Sequence, residues 1–536
     1  MARTATVTEL NEAMKSHSVT GDWDVVVSYS TKKLNAILDS LWYRGGKTDF
    51  VAITPKSQPG QLENDYEMKL HNPTLNFVTK GPATACLKMG LSGTAWIGGK
   101  AAAKKVDIQL GTFQIQFEVP VVSVPSDAQM SGSEVPSVKP ADSVIEFHNE
   151  AGSARNIIFH FQDIRQEKWE VDTLDKNKAT NLDASIDMTE VVSELQTWFY
   201  DNIKDVDYCI AQVNNEAVPG TESSTVLRPK SFVFATHGEG DDSVLSIYIQ
   251  TEASNFNPGQ TSPTFPIPAT DSVTYRPIPD GFDAAVTIRY EVMRDLFFLP
   301  SINDAIKMAD GSLSASDTRD SSQDGFQFSV KMDVSYIESV QKDYWWGQQY
   351  GGKIWGNLKE TPLTLRVRDG YATWSLEYWQ SNIGWQQNQY FGMPGMSGWI
   401  GAVDAHCWVN NTQQILPSNH DLHTAAYSFK PQSEFHLDLA ARPDPDPWSE
   451  WPWYKKLAMG KPKNEWSNSL PANFQGFKVN FNEVKIEFKN LNFLLTKNIF
   501  ANALTKDIIQ VDTDKGLFTP HDVILVGKVV TPGTTQ

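Results

Sequence analysis

Val25-Val26-Val27-Ser28-Tyr29-Ser30-Thr31-Lys32-Lys33-Leu34-Asn35-Ala36-Ile37-Leu38 begins as an apolar run and changes its spacing after Ser30. The first five residues are typical of a β-strand, because β-branched and aromatic side chains favour an extended backbone. Apolar residues then recur every three or four positions, which predicts one face of a helix with Ser30 as its N-cap. That face consists of Leu34, Ile37, Leu38 and Leu41. The stretch therefore predicts a strand that leads directly into an amphipathic helix.

A variant of this stretch returns about halfway along the chain, as Val286-Thr287-Ile288-Arg289-Tyr290-Glu291-Val292-Met293-Arg294-Asp295-Leu296-Phe297-Phe298-Leu299. Its apolar run ends at Tyr290, as the first run ends at Tyr29. The helical stripe is repeated by Val292, Leu296 and Leu299. Pro300 is expected to end this helix, because proline lacks the amide hydrogen that a helix interior needs. The repetition predicts two related halves.

A third amphipathic helix is predicted from Asp187 to Ile203. Asp187 and Glu190 have the spacing of a capping box at its start. Its apolar face consists of Val191, Leu195, Trp198 and Phe199. A strand is predicted after it, from Tyr208 to Val213.

Most of the remaining sequence is typical of long strands. Apolar residues alternate over 106–121, and the alternation changes phase at Gly111-Thr112, which predicts a β-bulge. Asp369-Gly370 predicts the tight turn of a hairpin over 361–379. Long bulged strands favour strongly curved antiparallel sheets. The predicted fold class is therefore α+β and β-dominant, with highly curved sheets wrapped around amphipathic helices.

We predict four segments from the changes in composition along the 536 residues. They are a flexible N-terminus over 1–20, a first half over 21–255, a Pro-rich linker over 256–282 and a second half over 283–536. The second half carries a Trp-rich insertion over about 340–466.

The composition excludes several classes of function. A net charge of −18 disfavours a nucleic-acid partner, which needs a basic face. No run approaches the ~20 apolar residues of a transmembrane helix, and no apolar segment near the N-terminus resembles a signal peptide. Three widely spaced cysteines are typical of a reducing compartment. We expect synthesis in the cytoplasm, with any release by a non-classical route.

Motifs for catalysis and nucleotide binding are missing from the sequence, and we predict no enzyme, no cofactor and no metal. One group of residues has the ligand types of a zinc site: His406, Cys407, His420 and His423. However, adjacent residues of a strand lie on opposite faces, which argues against His406 and Cys407 sharing an ion. Ordinary surface histidines and a packed thiol are the favoured interpretation.

Most of the 17 tryptophans lie between Trp345 and Trp466, among many Gln, Asn and Gly residues. Aromatic rings beside amides suit a carbohydrate-binding surface, where rings stack on sugars and amides bind hydroxyl groups. The same rings also suit the core of a large sheet, and this is the favoured alternative.

Three parts of the chain together resemble a known family. They are Trp23-Asp24-Val25-Val26 leading into Leu34-Asn35 and Leu38, then 283–300 ending in Leu299-Pro300, and finally 491–500 with 516–527. They resemble the forty-seven-kilodalton accessory proteins encoded beside clostridial neurotoxins in OrfX-type clusters, members of the tubular lipid-binding (TULIP) superfamily. The resemblance implies two TULIP-like halves with an apolar groove.

The leading hypothesis is thus a non-enzymatic protein that binds a lipid or other hydrophobic molecule, with sister proteins of a toxin-related assembly as further partners. Its groove is predicted to be lined by the three helical stripes: Leu34, Ile37, Leu38, Leu41, Val191, Leu195, Trp198, Phe199, Val292, Leu296 and Leu299. The alternatives are a carbohydrate-binding protein that uses 345–466, and a structural scaffold for sister proteins.

Overall fold

The structure is a computed structural model of the chain. It describes residues 3–15, 17–44, 50–53, 64–78, 84–100, 104–125, 139–140, 143–147, 154–159, 169–180, 182, 186, 188–201, 209–215, 226–238, 240, 242–307, 312–318, 324–343, 349–390, 397–421, 424–430, 436–441, 453, 482–488, 509–512 and 516–529. Strands far outnumber helices in this part of the chain, which confirms the predicted β-dominant fold class.

The described strands are β1 (Arg3–Thr4), β2 (Val25–Ser30), β3 (Phe50–Ile53), β4 (Asp65–Val78), β5 (Thr84–Ile97), β6 (Lys104–Pro125), β7 (Lys139–Pro140), β8 (Ile145–Glu146), β9 (Ala154–Phe159), β10 (Glu170–Thr173), β11 (Cys209–Asn214), β12 (Pro229–His237), β13 (Val244–Thr251), β14 (Val273–Thr274), β15 (Ala284–Ile288), β16 (Ser312–Asp317), β17 (Phe326–Asp343), β18 (Gln349–Arg368), β19 (Tyr371–Tyr390), β20 (Ser397–Gln414), β21 (Leu416–Asp421), β22 (Thr424–Phe429), β23 (His436–Ala441), β24 (Val484–Phe488), β25 (Ile509–Val511) and β26 (Val523–Val529).

The described helices are α1 (Val7–Met14), α2 (Thr31–Arg44), α3 (Lys176–Thr180), α4 (Met188–Asp201), α5 (Tyr290–Val292) and α6 (Leu299–Lys307), with a π-helix (Met293–Phe298) between the last two. The predicted strand-helix units are confirmed in β2 with α2 and in β15 with α5. The Ser30 hydroxyl accepts a hydrogen bond from the Lys33 amide at 3.4 Å, as an N-cap does. The predicted third helix is confirmed as α4, and the strand after it as β11.

The chain divides into two compact units. The first comprises 1–293, 419–425 and 488–536, and the second comprises 294–418 and 426–487. The two related halves remain a prediction. β2 of the predicted first half and β15 and β26 of the predicted second half lie in one sheet of the first unit.

The first unit contains that central sheet, an antiparallel sheet of seven strands in the order β25-β26-β15-β2-β13-β12-β8. Both faces are covered over most of its area, since every residue of β13 and β15 is buried. One face packs against the N-terminal segment, where Leu10, Met14 and Val19 are almost completely buried.

The Pro-rich segment also packs on the first unit. The Trp23 indole donates a hydrogen bond of 2.8 Å to the Gln260 carbonyl. A Cβ atom at Gly259 would overlap with the Gly21 carbonyl and the Trp23 ring, so only glycine permits this approach. Further along, β14 pairs with β1 in a parallel two-stranded sheet.

A second sheet of the first unit has eight strands. Its main path is β11-β9-β6-β5-β4-β3, and β10 and β7 also pair with β6. The predicted bulge is confirmed, and it is larger than one residue. Leu91 and Gly93 of β5 lie opposite Phe113 and Ile108, so six residues of β6 face three of β5. Gly111 lies within this bulge at φ +82°, a backbone conformation that favours glycine.

The second unit contains a six-stranded antiparallel sheet in the order β16-β17-β18-β19-β20-β23. A further three-stranded sheet has the order β21-β22-β24. The predicted Asp369-Gly370 turn is confirmed between β18 and β19, with both residues at positive φ. Around this turn, Phe326, Leu365 and Trp374 form part of an apolar core.

The predicted helix stop at Pro300 is wrong. The structure continues in helical conformation through Pro300 to Lys307. Pro300 is the second residue of α6, directly after the π-helix. Proline is tolerated in the first turn of a helix, where its missing amide hydrogen costs no intrahelical bond.

Candidate functional site

The eight-stranded sheet carries an apolar face that runs across β4, β5 and β6. Cross-strand neighbours share a face, so the register builds this face in tiers. Residues of β4 and β5 pair along it, from Phe77 with Ala85 at one end to Tyr66 with Ala95 at the other. Residues of β6 continue each tier, as Phe117 does beside Leu87. The described members of the face that are at most 7% exposed are Tyr66, Met68, Leu70, Leu75, Phe77, Ala85, Leu87, Met89, Leu91, Ala95, Ile108, Phe113, Ile115, Phe117 and Val119.

Trp169, immediately before β10, extends this apolar face. Its ring stacks on Phe117 with centroids 4.1 Å apart and planes 9° apart. β10 then pairs with β6 over 113–116. The ring adds a large flat surface at the β6 edge of the face.

α4 contacts strands at both sides of the apolar face. Its main contacts are with β3 and β10, rather than with the three strands between them. β3 and β10 are separated by four strand spacings, about 19 Å on a flat sheet, and a helix of 14 residues is about 21 Å long. α4 is therefore long enough to extend across the strands between them. Val191 and Leu195 of α4 are completely buried.

α2 covers the edge of β4 beyond the residues that pair with β3. The Asn35 side chain donates to the Leu75 carbonyl at 2.9 Å and accepts from the Leu75 amide at 2.6 Å. It thus replaces the two hydrogen bonds that a neighbouring strand would make. One turn later, Asn72 donates to the Asp39 carboxylate at 2.7 Å. The helix is held along the strand rather than above it.

The apolar face holds no charged residue among its described members. The titratable groups of β5 lie on the opposite face, since side chains alternate along a strand. Among them, burial raises the pKa of the Cys86 thiol, so that the thiol stays protonated and unreactive. His71 and Ser92 lie on the same opposite side and form a hydrogen bond of 2.8 Å. Burial lowers the pKa of His71, with a smaller contribution from Lys69. An apolar surface without charged groups favours contacts made through the exclusion of water rather than through charge.

The predicted stripe residues are only partly brought together. Leu34 of α2, and Val191 and Leu195 of α4, are buried in the unit that holds the curved sheet, and Trp198 is partly exposed. The side chains of Ile37, Leu38, Leu41 and Phe199 lie outside the described ones, although their backbone is helical.

The third stripe is divided between the two units. Val292 is completely buried in the first, whereas Leu296 and Leu299 are half-buried in the second. A groove lined by all three stripes therefore remains a prediction.

Sequence reasoning missed the strand residues of the apolar face. The signal was available in the alternation over 106–121, which marks one face of β6 as apolar along its length. Interpreting that face as a lining, rather than only as evidence for a strand, would have found Phe113, Ile115 and Phe117.

The described backbone separates members of the zinc-like group. His406 and Cys407 are consecutive in β20 and so belong to opposite faces of its sheet. His420 belongs to β21 in another sheet, and His423 lies outside the described residues. No three His, Cys, Asp or Glu residues with described side chains lie close enough to hold a metal ion.

The Trp-rich segment is described mainly through its strands β18, β19 and β20. Trp374 is 2% exposed and lies 6.3 Å from Phe429, so this ring belongs to the core. Trp453 is 76% exposed. Trp345 lies outside the described residues, and Trp385 lies in β19 with its side chain outside the described ones.

Comparison with solved structures aligns this chain with two proteins from Clostridium botulinum. P47 from Clostridium botulinum A2 aligns over 95% of this chain and 98% of its own, with a TM-score of 0.45 and 13% sequence identity. P47 of Clostridium botulinum E1 aligns over 95% and 99%, with a TM-score of 0.40 and 12% identity.

A lipopolysaccharide binding protein aligns over 95% of this chain and 99% of its own, with a TM-score of 0.21 and 10% identity. Comparison of the sequence with models of known families and with curated proteins gives no match. Within the described part of the chain, no helix has the length and hydropathy that crossing a membrane requires.

Proposed function

We propose that this protein binds a lipid or another hydrophobic molecule on the concave face of the eight-stranded sheet, and that it acts as a carrier or presenter rather than as an enzyme. The observation that supports this most directly is the apolar face over β4, β5 and β6, together with the contacts of α4 with both β3 and β10. Such a face presents a long apolar surface in tiers, which suits an extended acyl chain more than a compact ligand.

Two features of the face favour an adaptable binding surface over a rigid core. Met68 and Met89 lie near its middle, and methionine adjusts to irregular shapes because it is unbranched and flexible. The aromatic residues Tyr66, Phe77 and Phe117 lie toward its ends and provide flat walls. The resemblance of the sequence to toxin-cluster accessory proteins supports an accessory role in a larger assembly, with sister proteins as partners.

The proposal is tested by extracting the purified full-length protein, prepared without detergent, with organic solvent. Mass spectrometry should detect an acyl lipid in about molar proportion to the protein. A fluorescent fatty acid should then bind to the delipidated protein and be displaced by that lipid. Failure of lipids of several classes to bind the delipidated protein would refute the proposal.

A matched pair of variants locates the site. Met89→Trp enlarges a side chain in the middle of the apolar face, and Lys88→Ala changes the adjacent residue on the opposite face. Next to a ligand cavity, Met89→Trp should block uptake with little loss of stability. In a close-packed core it should instead cost about 1–3 kcal/mol through overpacking. Lys88→Ala should leave uptake unchanged, and equal effects of the two variants would place the ligand elsewhere.

A further inference from the structure

Arg155 of β9 places a cation at one end of the apolar face. The alternation that puts Phe117 and Val119 on this face continues along β6 to Ser123, because the pairing of β6 shows no register shift over these residues. Ile157 lies directly opposite Ser123, and Arg155 lies two residues away from Ile157 in β9. Opposed residues and residues two apart share a face, so Arg155 lies on the same side of the sheet as Phe117.

The Arg155 side chain is held in place by Ser123. Its Nε atom donates to the Ser123 hydroxyl at 3.1 Å, and one of its Nη atoms donates to the Ser123 carbonyl at 3.2 Å. Ser123 is completely buried, and Arg155 is half-buried. These bonds fix the direction of the planar guanidinium group, so that less side-chain freedom is lost when it binds a ligand.

The register neighbours of Arg155 on this face are apolar or carry a hydroxyl group. Pro125 of β6 and Val213 of β11 lie directly opposite it on its two sides. Together with Ile157 and Ser123, these neighbours contribute no carboxylate to the face. Burial lowers the pKa of Arg155, because the charged form loses hydration there. A cation that is partly withdrawn from water attracts an anion more strongly than an exposed one does.

We propose that Arg155 binds the anionic head of an acidic lipid whose acyl chain lies on the apolar face of β4, β5 and β6. This inference rests on the function proposed above and narrows its ligand to an anionic amphiphile. Arginine binds both carboxylate and phosphate groups through charge-assisted hydrogen bonds, so either head group suits the site. β6 extends about 20 Å from Phe117 to Ser123, at about 3.4 Å per residue, which a long acyl chain can follow in extended form.

The opposite end of the face carries a second cation, which sets the alternative direction of the ligand. Lys104 lies opposite Ile97 of β5 and shares the face with Val106 and Ile108. Lys104 is exposed, and ion pairs of exposed lysines contribute little because water screens them. The half-buried Arg155 is therefore assigned the head group, and Lys104 provides the test of direction.

The experiment measures the binding of three probes with equal acyl chains to the delipidated full-length protein. They are palmitate, palmitoyl lysophosphatidate and uncharged hexadecanol. Arg155→Met should weaken the binding of at least one of the two acids by about 10–100-fold, the loss of one charge-assisted hydrogen bond, and should leave hexadecanol binding unchanged. The acid that loses more affinity identifies the head group as carboxylate or phosphate. Ser123→Ala should weaken the same acid to a smaller extent.

A second measurement does not depend on affinity. The carboxyl group of bound palmitate, labelled with ¹³C and titrated by NMR, should have a lower pKa in the unmodified protein than in Arg155→Met, because a nearby cation favours the carboxylate. The same difference in Ser123→Ala, in reduced form, would support the positioning role of Ser123. An equal pKa in the unmodified protein and in both variants would contradict the assignment.

Two control variants remove other charges. Lys104→Met acts at the opposite end of the face, and Lys88→Met acts on the opposite face of β5, and both should bind all three probes like the unmodified protein. The inference is overturned if Arg155→Met binds both acids normally, if it loses hexadecanol as much as the acids, or if Lys104→Met weakens the acids instead. Those results leave hexadecanol binding by the unmodified protein, and hence the proposed function, intact. Failure of all three probes to bind the unmodified protein would refute both.

Discussion

Val27 of β2 and Val286 of β15 lie directly opposite each other in the central sheet. Each is four residues before the first residue of a helix, Thr31 in α2 and Tyr290 in α5. Two further strands follow on each side of this pair. β13 and β12 follow β2, and β26 and β25 follow β15. The two predicted strand-helix copies are thus related by a local two-fold axis through the Val27–Val286 pair.

This relationship corrects the alignment of the two strand-helix stretches that the sequence predicts. Tyr29 and Tyr290 end the two apolar runs, but they are not equivalent positions. Tyr29 lies inside β2, whereas Tyr290 is the first residue of α5 and corresponds to Thr31. The match is shifted by two residues, which keeps each side chain on the same face and so leaves the hydrophobic pattern unchanged.

Equivalent positions on a two-fold axis should respond alike to the same change. Val27 and Val286 are both completely buried. We expect Val27→Ala and Val286→Ala each to lower the free energy of unfolding by about 2 kcal/mol, because each removes buried methyl groups and leaves a cavity. Urea unfolding measures this. The double variant should depart from the sum, since the two residues are in contact. Leu174→Ala, at a 54% exposed residue, serves as the control with a change below about 0.5 kcal/mol.

Asn35 replaces a missing strand along the edge of β4. Asn35→Ala should leave the Leu75 amide and carbonyl without their partner, at a cost of about 1–3 kcal/mol. Hydrogen exchange followed by mass spectrometry should show faster exchange around Leu75. Lys32→Ala, at an exposed position of the same helix, should leave that exchange unchanged. Equal protection in Asn35→Ala would mean that another group holds this edge.

His237 makes the stability of the central sheet depend on pH. Burial lowers its pKa to about 4, and its ring accepts or donates a 2.9 Å hydrogen bond with the Tyr248 hydroxyl. In the unfolded chain its pKa is about 6.5, so the unfolded state binds the proton more readily between these values. The stabilisation is complete above pH 6.5 and is lost as the pH falls toward 4.

We therefore expect the free energy of unfolding of the unmodified protein to fall between pH 7 and pH 5 by about 2 kcal/mol more than that of His237→Gln. Urea unfolding at the two pH values measures this. His17→Gln, at an exposed histidine, should behave like the unmodified protein. The same pH dependence in His237→Gln would assign the effect to other groups.

Two tryptophans separate the core and carbohydrate interpretations of the Trp-rich segment. Trp374→Ala should lower the free energy of unfolding by about 3–5 kcal/mol, because it leaves a cavity in the core beside Phe429. Trp453→Ala should leave thermal unfolding unchanged, because that ring is exposed. If the segment binds sugars, Trp453→Ala should also lose signal on a glycan array. Absence of any glycan signal from the unmodified protein would leave Trp453 without that role.

Local features were predictable from the sequence, and pairings between distant segments were not. α4 and the Asp369-Gly370 turn follow from patterns within a few residues, namely a helical stripe and a dipeptide that adopts positive φ. The pairing of β2 with β15 requires a register between segments far apart in the chain, and local periodicity carries no information about it. The continuation of the helix through Pro300 depends on the π-helix before it, which changes the hydrogen-bond pattern that proline would interrupt.

The candidate sites show the same division. The stripe of α4 was predictable, and Val191 and Leu195 are buried as expected. The apolar face of the sheet emerges only when the strands are aligned with one another.

The central sheet also constrains when this protein acquires its structure. β2 begins at Val25, and β26 begins at Val523. During synthesis on the ribosome, β26 therefore emerges long after β2 and β13 are available to pair. β26 is the second partner of β15. Until then β15 presents an apolar strand with unpaired backbone groups, which is a template for pairing with other chains. High contact order of this kind predicts slow folding, and a need for chaperones during the interval in which that edge is open.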